Sequence, residues 1–379
     1  MGTATNGDLQ PIHQQILSLV DSEAATTRAT LARTLHLAPS TISLRVLELL
    51  DSGHLEEVGD SDSTGGRRAR LLRLRSDSAY FIGAELGTGH ARYALLDARG
   101  TVVEIRHHDI DLPAGPVPSL NAIAQHCRGL LDDHNAAASG ICLALPAPVS
   151  PATGLLDSAS RMPGWDGFPI SQHLSENLGV PVVIENDADM MALGEHIAHP
   201  HLRHTLTVKA GSGLGVGIVI DGQVHRGATG AAGDISHVRR ASYGNMPCAC
   251  GNKGCLATIV AGAALLERWQ RESGNDGDLE QMMRAARNGE VHATNILREA
   301  GEHLGDALCA VASFFNPEAL FLAGLLSSAD AFVASVRASL YRGCHPLVTR
   351  SLIIERASTG PDAGALGAAH LASTKLLKG

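Results

Sequence analysis

A chain of 379 residues, 44% hydrophobic and 18% charged, has the make-up of an ordinary globular protein with core enough for two or three domains. Aromatic residues make up only 3%, which argues against extended base stacking on aromatic platforms, and apolar runs such as 143–149 are too short to span a bilayer. A formal net charge of −9, with no basic-then-apolar leader at the start, suggests a reducing cytoplasm, where clustered cysteines are metal ligands more often than disulfides.

The pattern changes near residue 76, so residues 1–76 are read as one domain and 77–379 as another. After a polar start, Ile12, Ile16, Leu17, Leu19 and Val20 have helical spacing. Thr27 begins a second helix with Leu31, Ala32 and Leu35 inward. Pro39 or Ser40 opens a third, which carries Ile42, Val46, Leu47, Leu49 and Leu50 and stops at Gly53. Two short extended segments, 55–58 and 69–75, follow. Three helices and a two-stranded wing describe a winged helix-turn-helix. Ser40, Thr41, Ser43 and Arg45 at the start of the third helix suit phosphate and base-edge contacts in a major groove. Arg67 and Arg68, with Arg70, Arg73 and Arg75 close behind, place guanidinium groups where a wing reaches phosphates or a minor groove. These are the candidate contacts to a double-stranded DNA operator. Against them, residues 1–77 hold eight arginines, no lysine and ten acids, so the basic charge is local. The competing reading is a winged helix used only for protein contacts.

From Tyr80 the chain reads as strands at 80–86, 91–96 and 101–110, a helix at 121–134, strands at 141–145 and 182–184, and a helix at 190–196. A β-meander followed by alternating helices and strands gives a mixed sheet with helices packed on it. The plan then repeats: strands at 206–210, 216–220 and 223–225, with the turn Gly211-Ser212-Gly213-Leu214-Gly215-Val216-Gly217 between the first two. Such a turn cradles a phosphate or serves as a tight hairpin; the residues alone leave both open. Helices at 261–272, 279–287 and 294–315, a strand at 319–322 and a small-residue helix at 364–372 complete the chain. One strand–glycine turn–strand unit per half predicts two similar lobes, about 77–200 and 201–379, with a cleft between them.

Between His237 and Cys255 lie Cys248, Cys250 and Cys255, bracketed by Gly251 and Gly254. Three thiols and one imidazole are the ligand set of a closed structural zinc site, and the glycines let the chain fold back on one ion. The alternative is three ordinary thiols near an unrelated histidine. Cys127, Cys142, Cys309 and Cys344 are scattered and read as core or surface thiols.

Taken together these segments resemble the ROK family (repressors, open reading frames, kinases) over essentially the whole chain. Glu185-Asn186-Asp187-Ala188-Asp189 is similar to the family's E-N-D-A-N sugar motif. Residues 230–237, G-A-A-G-D-I-S-H, are similar to its G-x-A-G-E-x-G-H signature. Residues 248–255 match its C-x-C-G-x-x-G-C zinc motif. The resemblance implies a winged helix-turn-helix followed by a two-lobed actin/hexokinase-like (ribonuclease H-like) sugar-kinase fold of class α/β. It implies Zn2+ on His237, Cys248, Cys250 and Cys255, and a sugar contacted by Asn186, Asp187, Asp234, His237 and Arg161. In the family's kinases the aspartate at Asp187 is the general base. Asp234 stands where the family has glutamate, Ala257 where it has a sugar-binding glutamate, and Arg161 where asparagine is common, so glucose is not the expected ligand. The family's D-x-G-G-T phosphate turn reads Glu85-Leu86-Gly87-Thr88-Gly89, and Leu325 and Leu326 stand at the adenosine end.

These departures predict no nucleotide cofactor and no efficient catalysis. The expectation is a cytoplasmic, sugar-responsive, DNA-binding regulator, a repressor, acting as a homodimer or homotetramer away from membranes. The alternatives are an ATP-dependent sugar kinase fused to a DNA-binding domain, and a regulator without a ligand, controlled by a protein partner.

Overall fold

The computed structural model describes residues 10–60, 69–87, 89–157 and 162–376, with Asp60 and Ala241 described by their backbone alone. Arg67, Arg68, Thr88 and Arg161 lie outside the described residues. Helices α1 (Pro11–Asp21), α2 (Arg28–Thr34) and α3 (Pro39–Asp51) precede the antiparallel strands β1 (Leu55–Asp60) and β2 (Arg70–Leu74), with Leu55 opposite Leu74. A proline sits in the first turn of α1 and of α3, where no intrahelical N–H bond is lost, and Thr27 and Thr30 cap α2 reciprocally. Ile16, Leu31, Ile42, Val46, Leu49 and Leu72 form the core of this unit. Leu47, one of the apolar residues that give α3 its helical pattern, is 50% exposed, and Leu44 is 52% exposed.

The next sheet contains β3 (Tyr80–Leu86), β4 (His90–Asp97), β5 (Val102–Asp109), β6 (Ala138–Leu145) and β7 (Val182–Asn186), in the order β5-β4-β3-β6-β7. Strands β3 to β5 form an antiparallel meander; β6 and β7 run parallel to β3. The last sheet contains β8 (His204–Ala210), β9 (Leu214–Ile220), β10 (Gln223–Val224), β11 (Ala319–Ala323) and β12 (Ile353–Arg356), in the order β10-β9-β8-β11-β12. It repeats the plan: an antiparallel meander, then two strands parallel to β8.

Helices α4 (Pro116–Asp133) and α5 (Ile170–Leu178) contribute Leu120, Ile123, Leu130, Ile170 and Leu174 to the core of the first lobe. Helix α4 starts earlier than the sequence suggests, because Pro116 and Pro118 sit in its first turn. Helix α6 (Asp187–Ala198) follows β7 directly. The second lobe adds α7 (Ala257–Val260), α8 (Gly262–Ser273), α9 (Leu279–Arg287), α10 (Val291–Phe315), α11 (Asp330–Gly343) and α12 (Pro346–Thr349). Helix α13 (Ala363–Leu376) returns to pack on β3 and α6. Helix α6 in turn packs on β8 and β9, so α6 and α13 lie between the two sheets. An ideal Cβ on Gly217 would stand 2.2 Å from the Ala188 carbonyl oxygen and 2.4 Å from the Ala192 Cβ. Gly217 of β9 therefore serves the close approach of α6. Among the described residues no helix is long and apolar enough to cross a membrane.

Glu195 on α6 is fully buried and anchors the segment that leads into α13. Its carboxylate accepts bonds from the Ser358 N–H (2.7 Å) and hydroxyl (2.8 Å), from the Thr359 N–H (3.0 Å) and from the Thr359 hydroxyl. Burial raises its pKa, but these bonds together outweigh burial and hold it below the ordinary value of 4.5. Glu195→Ala is expected to cost about 3 kcal/mol at neutral pH, because it leaves buried donors unpaired. The folded-state pKa is depressed, so this stabilisation is full above pH 4.5 and fades as the pH falls through the lower folded value. Urea titrations of both proteins at neutral and acid pH should therefore show the gap narrowing in acid.

Candidate functional site

The segment after β10 gathers His237, Cys248, Cys250 and Cys255, whose ligand atoms all lie within 4.8 Å of one another. His237 Nδ1 is 3.4 Å from Cys248 Sγ, and the Cys250 and Cys255 sulfurs are 3.7 Å apart. A tetrahedral ion with zinc–sulfur bonds of ~2.3 Å spaces its sulfurs by roughly 3.8 Å, so the donor set fits such an ion. Backbone bonds shape the knuckle: Cys248 N–H to Asn252 O (2.8 Å), Gly251 N–H to Cys248 O (2.9 Å) and Gly254 N–H to Met246 O (2.9 Å). Burial, reinforced by the neighbouring thiols, pushes the Cys255 thiol up to about 12. A cation at the centre of the quartet would stabilise Cys255 as the thiolate that a metal ligand has to be.

The same segment is anchored on β9. An ideal Cβ on Gly233 would lie 1.7 Å from the Val216 carbonyl oxygen, so the 230–234 loop rests on β9 and requires glycine there. Asp234 follows and is exposed, with its Oδ1 2.5 Å from the Ser236 hydroxyl. His237 comes one turn later, half-buried.

The junction of β7 and α6 carries the other candidate sugar residues. Asn186 caps α6: its Oδ1 accepts from the N–H groups of Ala188 (2.9 Å) and Asp189 (3.2 Å), and its Nδ2 donates to the Ala147 carbonyl (3.1 Å). Most of its side-chain bonding capacity is thus structural. Asp187 is 5% exposed and pairs with the ammonium of Lys209, which projects from β8 of the other lobe. Lys209 was not singled out from the sequence; its place two residues before Gly211 was the available signal. A second pair spans the lobes behind it, Arg226 Nε to Glu185 Oε2 at 2.8 Å, with Lys375 Nζ 3.6 Å from Glu185 Oε1. Asp189, where the family motif carries asparagine, is buried, and burial pushes its carboxyl up to about 7. In its neutral form it can donate a bond, as an amide would.

The end of β3, where the family's phosphate turn would stand, is crowded. Glu85 is 2% exposed, and its Oε2 makes no hydrogen bond and lies 3.9 Å from Arg92. Burial raises its pKa, and the charge of Lys209 offsets only part of this. The ring of His90 covers Gly87: an ideal Cβ there would be 2.2 Å from it. His90 was not anticipated either. Leu326, expected to obstruct a purine, is instead fully buried in the core of the second lobe, with Leu325 packed against that core.

In the N-terminal unit Ser40, Thr41 and Ser43 are exposed at the start of α3. Arg45 behaves differently from its neighbours. Its guanidinium binds both Glu48 oxygens, at 3.0 and 2.9 Å, and His13 holds the same carboxylate at 2.7 Å. The described arginines near the wing are also paired: Arg70 with Glu57, Arg73 with Glu56 and Arg75 with Asp77. These pairs lie on the surface, contribute little to stability and are partners that the sequence did not suggest.

The family model described as "ROK family" matches residues 81–375. The chain is 26% identical over 351 residues to the xylose repressor of Bacillus spizizenii, spanning 90% of this chain and 89% of that protein. It is 27% identical over 357 residues to the DNA-binding transcriptional dual regulator NagC of Escherichia coli, spanning 87% and 85%. A glucokinase of Halalkalibacterium halodurans is 27% identical over 312 residues, spanning 77% of this chain and 94% of the kinase. The solved structure of a ROK family transcriptional regulator, a homologue of the E. coli MLC protein, superposes with a TM-score of 0.77 at 23% identity and covers 97% of this chain and 98% of its own. That likeness extends the shared fold to nearly the whole molecule, including the helices and wing that precede residue 81. The chain belongs to the ROK family.

Proposed function

We propose that the protein is a sugar-responsive transcriptional regulator, a repressor, in which residues 1–76 bind operator DNA and residues 77–379 bind the effector. The observation that carries this reading is the Lys209–Asp187 pair across the cleft. Asp187 is the residue through which the family's sugar motif meets a hydroxyl, and here it is tied to the opposite lobe. A sugar hydroxyl that competes for this carboxylate changes the link between lobes. Asp234, His237 and Arg161 complete the proposed sugar contacts, and the spare capacity of Asn186 adds to them.

The mechanism is a population shift. The effector favours one arrangement of the lobes, and the winged helices of a homodimer or homotetramer then no longer match their half-sites. Coupling of about 1–3 kcal/mol is enough for a usable switch. On the DNA side, Ser40, Thr41 and Ser43 enter the major groove, and Arg67 and Arg68 meet phosphates. Arg45 acts there only if it exchanges Glu48 for a phosphate. Zn2+ on His237, Cys248, Cys250 and Cys255 is structural, and it fixes the loop that carries Asp234. The protein works in the cytoplasm and needs no nucleotide.

The kinase reading is supported by the Gly211–Gly217 turn and by the likeness to a glucokinase, which lacks a counterpart to the winged unit. Gly217 in that turn is accounted for by the packing of α6. The deciding experiment is a thermal-shift screen of monosaccharides and sugar phosphates, followed by operator release with any sugar that stabilises the protein.

A further inference from the structure

The exposed face of α3 carries no cation and two large apolar side chains. Ser40, Ser43, Leu44, Leu47 and Asp51 are spaced by three and four residues, so they share one side of the helix. All five are exposed, with Leu44 at 52% and Leu47 at 50%. The opposite side supplies Ile42, Val46 and Leu49 to the core. Arg45, the one arginine of α3, lies off this face and is bound to Glu48, which His13 also holds. Asp51 closes the face at the helix end and limits any contact with phosphate-lined DNA to the turns from Ser40 to Leu47.

We propose that Leu44 and Leu47 read thymine through its C5-methyl group; this rests on the DNA-binding reading given above. A helix in the major groove meets base edges made of hydrogen-bond donors and acceptors, and the methyl of thymine is the apolar exception. A leucine pressed against guanine, cytosine or adenine would strip water from polar groups and give nothing in return. Against thymine it buries a methyl group and part of its own exposed surface. The hydroxyls of Ser40 and Ser43 are able to bond to any base or to phosphate, so they tolerate the sequence that the leucines select. The half-site is therefore predicted to centre on adjacent A·T pairs, with no requirement for an arginine–guanine contact from this helix.

The probe is a duplex enriched from a random-sequence library by repeated binding to the full-length protein, then resynthesised with deoxyuridine in place of thymidine. This change removes only the methyl groups. Wild-type protein is expected to bind the uracil duplex about fourfold more weakly for each contacted methyl. Leu44→Ala and Leu47→Ala should each weaken binding to the thymine duplex and shrink the thymine-to-uracil ratio toward one. Both side chains are half exposed, so unchanged melting temperatures should show that the variants fold. Equal affinity of the wild type for both duplexes overturns the proposal and leaves DNA binding intact. A ratio that neither variant alters overturns the assignment to these leucines. Failure to enrich any duplex sinks the DNA-binding reading and this inference with it.

Discussion

Cys255→Ser is expected to abolish metal binding and to unfold the second lobe at a temperature at which the wild type is intact. Cys255 is the fully buried member of the quartet, and its backbone bridges to Arg239 across the knuckle. Structural zinc contributes about 10–16 kcal/mol of apparent binding free energy in small zinc peptides, and much of that is folding free energy. In a lobe with its own large core the share is smaller. A loss of about 4 kcal/mol, in the range that marks removal of a metal site, would lower the melting midpoint by roughly 10 °C. Metal analysis of freshly purified protein should give one zinc per chain for the wild type and none for the variant. Protein that is folded, active in DNA binding and free of zinc would refute the assignment.

The second large effect concerns catalysis. With ATP, magnesium and a sugar that stabilises the protein, ADP release is expected to stay far below the ~1 s⁻¹ at the lower end of ordinary enzymes. A general base has to accept a proton from the sugar hydroxyl at the moment of attack. Asp187 instead holds the ammonium of Lys209, which competes for the carboxylate and brings positive charge to where the proton must go. Phosphoryl transfer also depends on positioning, and an error of about 1 Å can cost on the order of a hundredfold. Glu85 is one methylene longer than the family's aspartate, and the ring of His90 covers the Gly87 backbone. Lys209→Ala alone is not expected to bring back turnover, because the His90 and Glu85 obstacles remain. A coupled assay that reads sugar-dependent turnover of 1 s⁻¹ or faster in the wild type would favour the fused-kinase reading instead.

Much of this architecture was legible because the signals are local. The winged unit announced itself through helical spacing in 12–20, the cap at Thr27 and the proline at 39. The metal quartet lies within one short stretch, 237–255. What escaped has physical causes. Helices α5 and α11 are short or mixed in pattern, and their apolar faces are defined by what they pack on. Strand β12 is largely exposed at a sheet edge, so its pattern is weak. Leu47 followed helical spacing but landed on the outer face, since a thirteen-residue helix with six leucines and β-branched aliphatics has more apolar residues than its core side can hold. Lys209–Asp187 and Arg226–Glu185 join residues distant in sequence and belonging to different lobes, and no local pattern marks them. Arg70 and Arg73 were legible as charges but not as partners of Glu57 and Glu56, because the pairing of β1 with β2 decides who their neighbours are.

A sugar between the lobes and DNA on the winged helix are expected to be coupled. The direct test is a fluorescence-anisotropy titration of the enriched duplex with the full-length protein, without and with a saturating sugar chosen for raising the melting temperature. The sugar is expected to raise the apparent Kd for DNA by roughly 5- to 150-fold, and DNA to weaken the sugar by the same factor. A sugar that stabilises the protein and leaves its affinity for DNA unchanged would contradict it.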